Sequence, residues 1–392
     1  MSKLLFIVHK ASRSGAVLQL RDMLRWLRHH TSHEISIVLL EGGEVVSEFE
    51  DVGTTVKAYS ATGPSIATRV VRKLLRRAPS AAPQLALQRL GRSRRFDLIY
   101  ANTVEAGVAM AVLRPLARRC VAHVHEMPTL IASLDPRLIR AVREHADRIV
   151  VPSSPVAQGL TDEHGCEPAR ISVVHGFVSE LHRPDLQSEA ARQRVRGAAG
   201  ITPESWVLGV CGSASDVKGT DLLPRLAAAL PEAVAGRPVH LVHVGRFGAP
   251  RERLMIERDA RLLGVEHRLH LLGPTADPAT LMTGFDVHLL PSREESLGLV
   301  VLEAAVMGIP TVCFASGGGA AHFCADGAGI VVPYLRTDDM ASAAVQLLGD
   351  AAVRKALGLA ARERWRFRHR TETALPRWLE IIESEVATGL RA

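Results

Sequence analysis

Along the first half of the chain, short β-branched apolar runs alternate with stretches whose apolar positions recur at helical spacing. The runs are Leu4–Val8, Ile35–Leu40, Leu98–Ala101, Val121–His125, Ile149–Val151 and Ile171–Val174. Between the first two, Val17, Leu20, Leu24 and Leu27 fall on one helical face. Strand, helix, strand at this spacing is a βαβ unit and predicts a parallel sheet. The strand pattern lapses over Leu181–Gly200 (LHRPDLQSEAARQRVRGAAG), which reads as a linker with some helix. It then restarts with Val207–Val210, Val239–Val244, Leu269–Leu272, Val287–Leu290, Thr311–Phe314 and Ile330–Val332. Several of these runs end in Gly or Pro: Gly212, Gly245, Gly273, Pro291 and Pro333. There a parallel strand hands over to a loop at its carboxyl end, the edge at which such sheets bind ligands.

The pattern therefore predicts an α/β protein of two Rossmann-like, doubly wound domains with a cleft between their facing strand ends. The expected division is 1–180, a linker over 181–200, 201–370, and a C-terminal helix over 371–392 with the option of packing back on the first domain. A length of 392 residues agrees, since it exceeds what one core organises. No apolar run reaches the roughly 18–20 residues of a spanning helix. The opening MSKLLFIVHKASRSG reads as a strand, not a signal peptide.

Composition narrows the partners. The net charge of +7 suits an anionic one: nucleotide, lipid headgroup or nucleic acid. Aromatic residues, only 4% of the chain, do not interleave with basic ones as a nucleic-acid stacking platform would require. Cys120, Cys166, Cys211, Cys313 and Cys324 are scattered without a CxxC or Cys/His cluster. That pattern predicts a reducing cytoplasm and no structural metal.

The densest chemistry lies in PSREESLGLVVLEAAVMGIPTV, Pro291–Val312. A buried strand ends at Pro291, a polar loop carries Glu295, and Gly298 precedes an apolar helical run containing Glu303. A helix start has unpaired amides and the positive end of the dipole, so this is an anion site flanked by two carboxylate acceptors. A nucleoside diphosphate sugar has the matching order of sugar hydroxyls, diphosphate and ribose hydroxyls. A loop charge and a helix salt-bridge partner are the alternative reading of the two glutamates.

This segment resembles the signature of the family 4 glycosyltransferases, retaining enzymes of the GT-B fold that use nucleotide-sugars. The resemblance implies that Glu295 contacts the donor sugar and Glu303 the ribose, with Ser296, Leu297, Gly298 and Leu299 beside sugar and phosphate. It extends to GVCGSASDVKGTDLL, Gly209–Leu223, where Gly212 and Ser213 form the turn and Lys218 meets the diphosphate. The family usually places an arginine in that turn as well. Here Ser213 and Val217 stand there instead, which leaves Arg246 or Arg293 to compensate. Gly15, between the first strand and helix, and Gly273-Pro274, beside the base, complete the implied donor contacts. SGGGAAHF, Ser316–Phe323, resembles the family's glycine pair, with His322 where a glutamate is usual.

In VAHVHEMP, Val121–Pro128, strand alternation puts His123 and His125 on one face. The resemblance makes His125 catalytic together with Glu295 and Lys218. Glu126 and Asn102 are then acceptor-side, while His123 is equally a core histidine. No metal or other cofactor is implied. The expected partners are a nucleotide-sugar donor and a glycan or glycolipid acceptor in bacterial surface glycan synthesis, in the cytoplasm or at the inner membrane face. A sugar-nucleotide epimerase or phosphorylase of the same architecture is the nearest rival, and a nucleic-acid-binding protein a more distant one.

The stretch 66–95 carries Arg69, Arg72, Lys73, Arg76, Arg77, Arg89, Arg92, Arg94 and Arg95 and no acid. Ile66, Val70, Val71, Leu74 and Leu75 recur among them at helical spacing. It reads either as a dock for an anionic membrane surface or as a solvated basic helix packed on its own domain.

Overall fold

The apolar runs of the first half become strands of one parallel sheet. The computed structural model describes residues 1–59, 81–91, 95–179, 188–315 and 317–391. Its first seven strands are β1 (Lys3–Lys10), β2 (Glu34–Glu41), β3 (Thr54–Lys57), β4 (Phe96–Asn102), β5 (Ala117–His123), β6 (Arg148–Val151) and β7 (Ile171–Val173). They lie in the order β3-β2-β1-β4-β5-β6-β7. Leu4 to Val8 are wholly buried. Their strand is covered on both faces, hence its continuous apolar run in place of alternation. The helix Gly15–His30 buries Val17, Leu20, Leu24 and Leu27, as their spacing predicts.

Met1–His175 and the chain from Ala374 onward make up this first unit. The helix Thr371–Arg391 buries Trp378, Ile382 and Glu385. The Glu385 carboxylate accepts from Arg119 at 2.9 and 2.6 Å and from Arg148 at 3.0 Å. Two details differ from the sequence reading. β3 is a short, partly exposed edge strand, TTVK, with no apolar run to announce it. β5 starts earlier, at Ala117, where the polar Arg119 pairs with Leu98 and is held by Glu385 and Asp147, and it ends at His123. His125 therefore lies two residues beyond the strand, yet its ring stands beside that of His123 as alternation predicts, with centroids 3.7 Å apart.

Gly176–Thr373 make up the second unit. Its strands are β8 (Trp206–Cys211), β9 (Ala233–Val234), β10 (Arg237–Val244), β11 (Leu269–Leu271), β12 (Val287–Leu290), β13 (Thr311–Phe314) and β14 (Ile330–Val332). The parallel order is β11-β10-β8-β12-β13-β14, and β9 pairs antiparallel with β10. Ala235 and Gly236, at φ 50° and 73°, close that hairpin with the positive angles a two-residue turn needs.

The segment read as a linker contains a packed helix, Glu189–Ala199, which belongs to the second unit. Ser188 caps it by accepting from the Ala191 amide, and Gly200 ends it at φ 68°. Its polar composition concealed the packing because its most buried large side chain is Arg196, with no exposed surface. Among the described residues no helix is long and apolar enough to cross a membrane. Arg69, Arg72, Lys73, Arg76, Arg77, Arg92 and Arg94 of the basic stretch lie outside the described residues, as does Ser316.

Candidate functional site

Each sheet reverses its strand order once, the first between β1 and β4 and the second between β8 and β12. Loops that leave such a switch point in opposite directions open a crevice at the carboxyl edge. The sequence-predicted residues collect at these two places.

In the second unit, the loop after β8 meets the loop after β12. Gly219 adopts φ 68°, and a Cβ there would stand 2.0 Å from the Pro291 carbonyl oxygen. Only glycine allows the loops this approach. The preceding residue, Lys218, places its ammonium on Oε2 of Glu295, an ion pair across 77 residues of sequence. Glu295 is itself buried, and its carbonyl accepts from the Gly319 amide at 2.9 Å. Three residues on, Gly298 at φ 77° opens the helix Leu299–Val306 with no side-chain cap. The amides of Leu299 and Val300 consequently lack an intrahelical acceptor. Leu297 is buried in the core beside this helix's Val301 and Leu302.

Glu303 lies further along this helix. No group among the described residues hydrogen-bonds its carboxyl, and burial, with Asp277 adding repulsion, raises its pKa to about 7. Neighbouring loops are knitted by backbone bonds: Gly212 N to Val244 O (3.0 Å), Ala214 N to Arg246 O (2.7 Å) and Gly245 N to Gly273 O (2.9 Å). Ser213, the Arg246 side chain and Pro274 are exposed on these loops. Arg293, a candidate for the missing phosphate arginine, is engaged elsewhere. Its two terminal nitrogens donate to Asp221, each at 2.8 Å, so it braces the Lys218 loop. His243 and Asp277 were not singled out from sequence. The His243 ring sits 3.1 Å from the Gly212 carbonyl.

At the switch point of the first unit, Asn102 is almost wholly buried. Its amide nitrogen donates to the Ala16 carbonyl at 3.2 Å, just after Gly15 opens the first helix. That fixes the amide, so its oxygen faces His125 Nε2 at 3.0 Å and Nε2 carries the proton. Burial lowers the His125 pKa to about 3, leaving a neutral imidazole. Burial raises Glu126 to about 7. Its carboxylate accepts from the amides of Val104 (3.1 Å) and His125 (2.9 Å), holding both turns in place. His123 is a core residue with no exposed surface, 4.5 Å from the Trp378 ring.

Between β4 and the short turn Val104–Ala106, Thr103 sits at φ 74°, a conformation that costs a non-glycine residue about 1–3 kcal/mol. The turn brings Glu105 to His9 at the end of β1, Oε2 to Nδ1 at 3.0 Å. Neither residue was selected from sequence, although His9 stands near the end of the opening strand in MSKLLFIVHKASRSG.

Comparison with known proteins agrees with both halves. Residues 13–180 match the model described as Glycosyltransferase Family 4. Residues 205–350 match the model described as Glycosyl transferases group 1. The D-inositol 3-phosphate glycosyltransferase of Mycobacteroides abscessus is 30% identical over 220 residues, 55% of this chain and 47% of that protein. Its namesake in Mycobacterium tuberculosis is 36% identical over 183 residues, 45% of this chain and 36% of that protein. The matched segments thus span about half the length of these curated relatives, or less. Among solved structures, Anabaena HepE in complex with UDP-glucose superposes with a TM-score of 0.80 at 20% identity, covering 98% of this chain and 100% of that one. WaaG, a glycosyltransferase involved in lipopolysaccharide biosynthesis, gives 0.70 at 18% identity, covering 97% and 99%. At such identities the likeness establishes the fold: two α/β Rossmann-like domains of the GT-B kind.

Proposed function

We propose that this chain, a glycosyltransferase whose first half matches the Glycosyltransferase Family 4 model and whose second half matches the Glycosyl transferases group 1 model, moves a sugar from a nucleotide-sugar donor to a hydroxyl acceptor. The observation that carries this reading is the order of groups along the second unit's switch point. A lysine–carboxylate pair (Lys218, Glu295), free helix amides (Leu299, Val300) and an unsatisfied carboxyl (Glu303) succeed one another there. Lys218 and the amides meet the diphosphate charge, so no resident metal or other cofactor is invoked. Glu295 accepts from sugar hydroxyls, and Glu303 from ribose hydroxyls. Transfer proceeds with retention of anomeric configuration, as the family resemblance implies. The acceptor is a glycan or glycolipid of a bacterial surface polymer, reached in the cytoplasm or at the inner face of the membrane.

The test is nucleotide release from UDP-, GDP- and dTDP-sugars with and without added glycan acceptors. Release that increases with acceptor, with retained configuration in the product, is the expected result. Release of nucleotide with net 2-epimerisation, or sugar 1-phosphate formed with inorganic phosphate, would replace this reading by an epimerase or a phosphorylase. In the same assay His125→Ala should cut transfer by at least about tenfold, because a group that acts mainly on the transition state changes turnover more than ground-state binding. Its nucleoside diphosphate affinity should stay within about twofold of the parent's, as for an interaction absent from the nucleotide. Equal loss of stability and transfer would make His125 a structural residue only.

A further inference from the structure

His243 stands where the pattern of its strand calls for an apolar residue. It lies near the carboxyl end of β10, on the sheet face that Val239 and Leu241 give to the core, and it has no exposed surface. Its Nδ1 is buried without a hydrogen-bond partner among the described residues. An apolar side chain would avoid the penalty of burying that unpaired atom. What the imidazole does make is a bond through Nε2 to the Gly212 carbonyl, at 3.1 Å. A carbonyl only accepts, so Nε2 carries the proton. Burial lowers the ring's pKa to about 4 and keeps it neutral at physiological pH.

Two glycines give the carbonyl its path to the ring. A Cβ on Gly245 would stand 1.8 Å from the Gly212 oxygen. Gly212 itself sits at φ 141°, a value that other residues rarely adopt. A pinned carbonyl also aims the amide joined to it, since a trans peptide is planar and its N–H points opposite to its C=O. The Gly212 oxygen is directed to the side of β10, which supplies His243 and Gly245. The Ser213 N–H is therefore directed to the side of β12, the other neighbour of β8. The backbone ladder agrees. Gly212 and Ala214 both donate toward β10, to Val244 at 3.0 Å and to Arg246 at 2.7 Å, so the amide between them faces away.

No strand receives that amide. β8 pairs with β12 only at Leu208 with Val287 and Gly209 with His288, and beyond these the two strands part at the switch point. Ser213 is exposed, and its N–H has no backbone or side-chain acceptor among the described residues. A Cβ on Gly212 would meet no described heavy atom within 4 Å, so the turn borders open space. The loops that bound this opening carry Lys218 and the free amides of Leu299 and Val300.

We propose that His243 is a positioning residue that aims the Ser213 backbone amide at the donor diphosphate, in place of the arginine usual in this turn; this rests on the transferase reading given above. A backbone N–H held in advance donates to a phosphate oxygen without reorganising as charge develops on the leaving group. The diphosphate is then met by one full charge, on Lys218, and by fixed amides of both loops. His243 touches neither sugar nor base, so it acts on the phosphate chain alone.

The experiment measures how much the diphosphate adds to nucleoside affinity in the full chain, with uridine and UDP, guanosine and GDP, and thymidine and dTDP as probes. Calorimetry gives the affinity of each nucleoside diphosphate, and competition against it gives that of the nucleoside. His243→Leu keeps nearly the same volume without the donor. It should weaken nucleoside diphosphate binding by about tenfold, the order of one hydrogen bond to a charged group, and leave nucleoside binding at the parent value. His243→Gln should recover most of that loss, because its amide nitrogen reaches the place of Nε2. Ser213→Pro removes the N–H itself, so it should lose the same increment and lose nothing more when combined with His243→Leu. If His243→Leu does not fold, Ser213→Pro and His243→Gln carry the test. A His243→Leu protein with the parent's diphosphate increment, or with equal losses for nucleoside and nucleoside diphosphate, overturns the assignment and leaves the transferase reading intact. A Ser213→Pro protein with the parent's increment also overturns it. A parent that binds none of the three nucleoside diphosphates overturns the transferase reading and this assignment with it.

Discussion

Lys218→Ala should lower transfer turnover by about 10²–10³-fold, the range seen when one preorganised donor to a developing negative charge is removed. The lysine sits on a loop that Gly219 brings against the end of β12, and its partner Glu295 already positions the ammonium before any donor arrives. When the sugar–phosphate bond breaks, negative charge builds on the leaving diphosphate, and a cation already in place costs no reorganisation. Arg293 cannot substitute, because its terminal nitrogens are held by Asp221. Lys218→Arg should retain more activity than Lys218→Ala, since charge is kept although reach and geometry change. Steady-state kinetics on both variants read this directly. Parent turnover in Lys218→Ala would remove the lysine from the leaving-group site.

The largest effect on stability belongs to a residue outside the site. Asp286→Ala should destabilise the second unit by about 3–5 kcal/mol, the penalty for leaving a buried charge without its counterion. Asp286 Oδ2 accepts from Arg196 at 2.7 Å and from the Val207 amide at 2.9 Å, and Oδ1 lies 3.2 Å from Arg192. Without it the buried guanidinium of Arg196 keeps only carbonyl partners, on Ser205, Gly284 and Arg192. The pair pins the helix Glu189–Ala199 to the start of β12, two residues of sequence pattern that otherwise look unrelated. Replacing both members, Arg196→Met with Asp286→Leu, should cost less than Asp286→Ala alone, because no unpaired charge is then buried. Urea unfolding followed by tryptophan fluorescence provides the comparison. A single variant within 0.5 kcal/mol of the parent, roughly the scatter for neutral surface changes, would show the pair to be dispensable.

Strands were legible wherever burial on both faces forced a continuous apolar run, as in Leu4–Val8 or Thr311–Phe314. They were illegible where the sheet edge is wet, as at β3, or where a hairpin needs only two residues a side, as at β9. The helix within 181–200 was expected, but the packing of Glu189–Ala199 escaped because it depends on an arginine and on Asp286, a partner far along the chain. The site followed the same division. Glu295, Gly298 and Glu303 stand within one contiguous segment and could be read as a motif. The contacts of Lys218 with Glu295, of Asn102 with His125 and of His9 with Glu105 join strand ends that only the sheet order makes adjacent. Strand alternation did put His125 beside His123, and only the end of β5, which stops at His123, was read two residues too far.

The central claim is that the second unit's switch point holds a nucleoside diphosphate, with Glu303 on the ribose. Isothermal titration of UDP, GDP and dTDP into the parent and Glu303→Ala, at several pH values and in buffers of different ionisation enthalpy, tests it most directly. Glu303 is raised to about 7 in the free protein, and ribose hydroxyls that donate to it favour its ionised form. Nucleotide binding should therefore release a proton below that pH and tighten as pH rises through it. Glu303→Ala should weaken binding by about 1–3 kcal/mol and abolish the proton release. A parent that binds none of the three nucleotides, or a Glu303→Ala protein that binds one of them with parent affinity and parent proton release, would contradict the account.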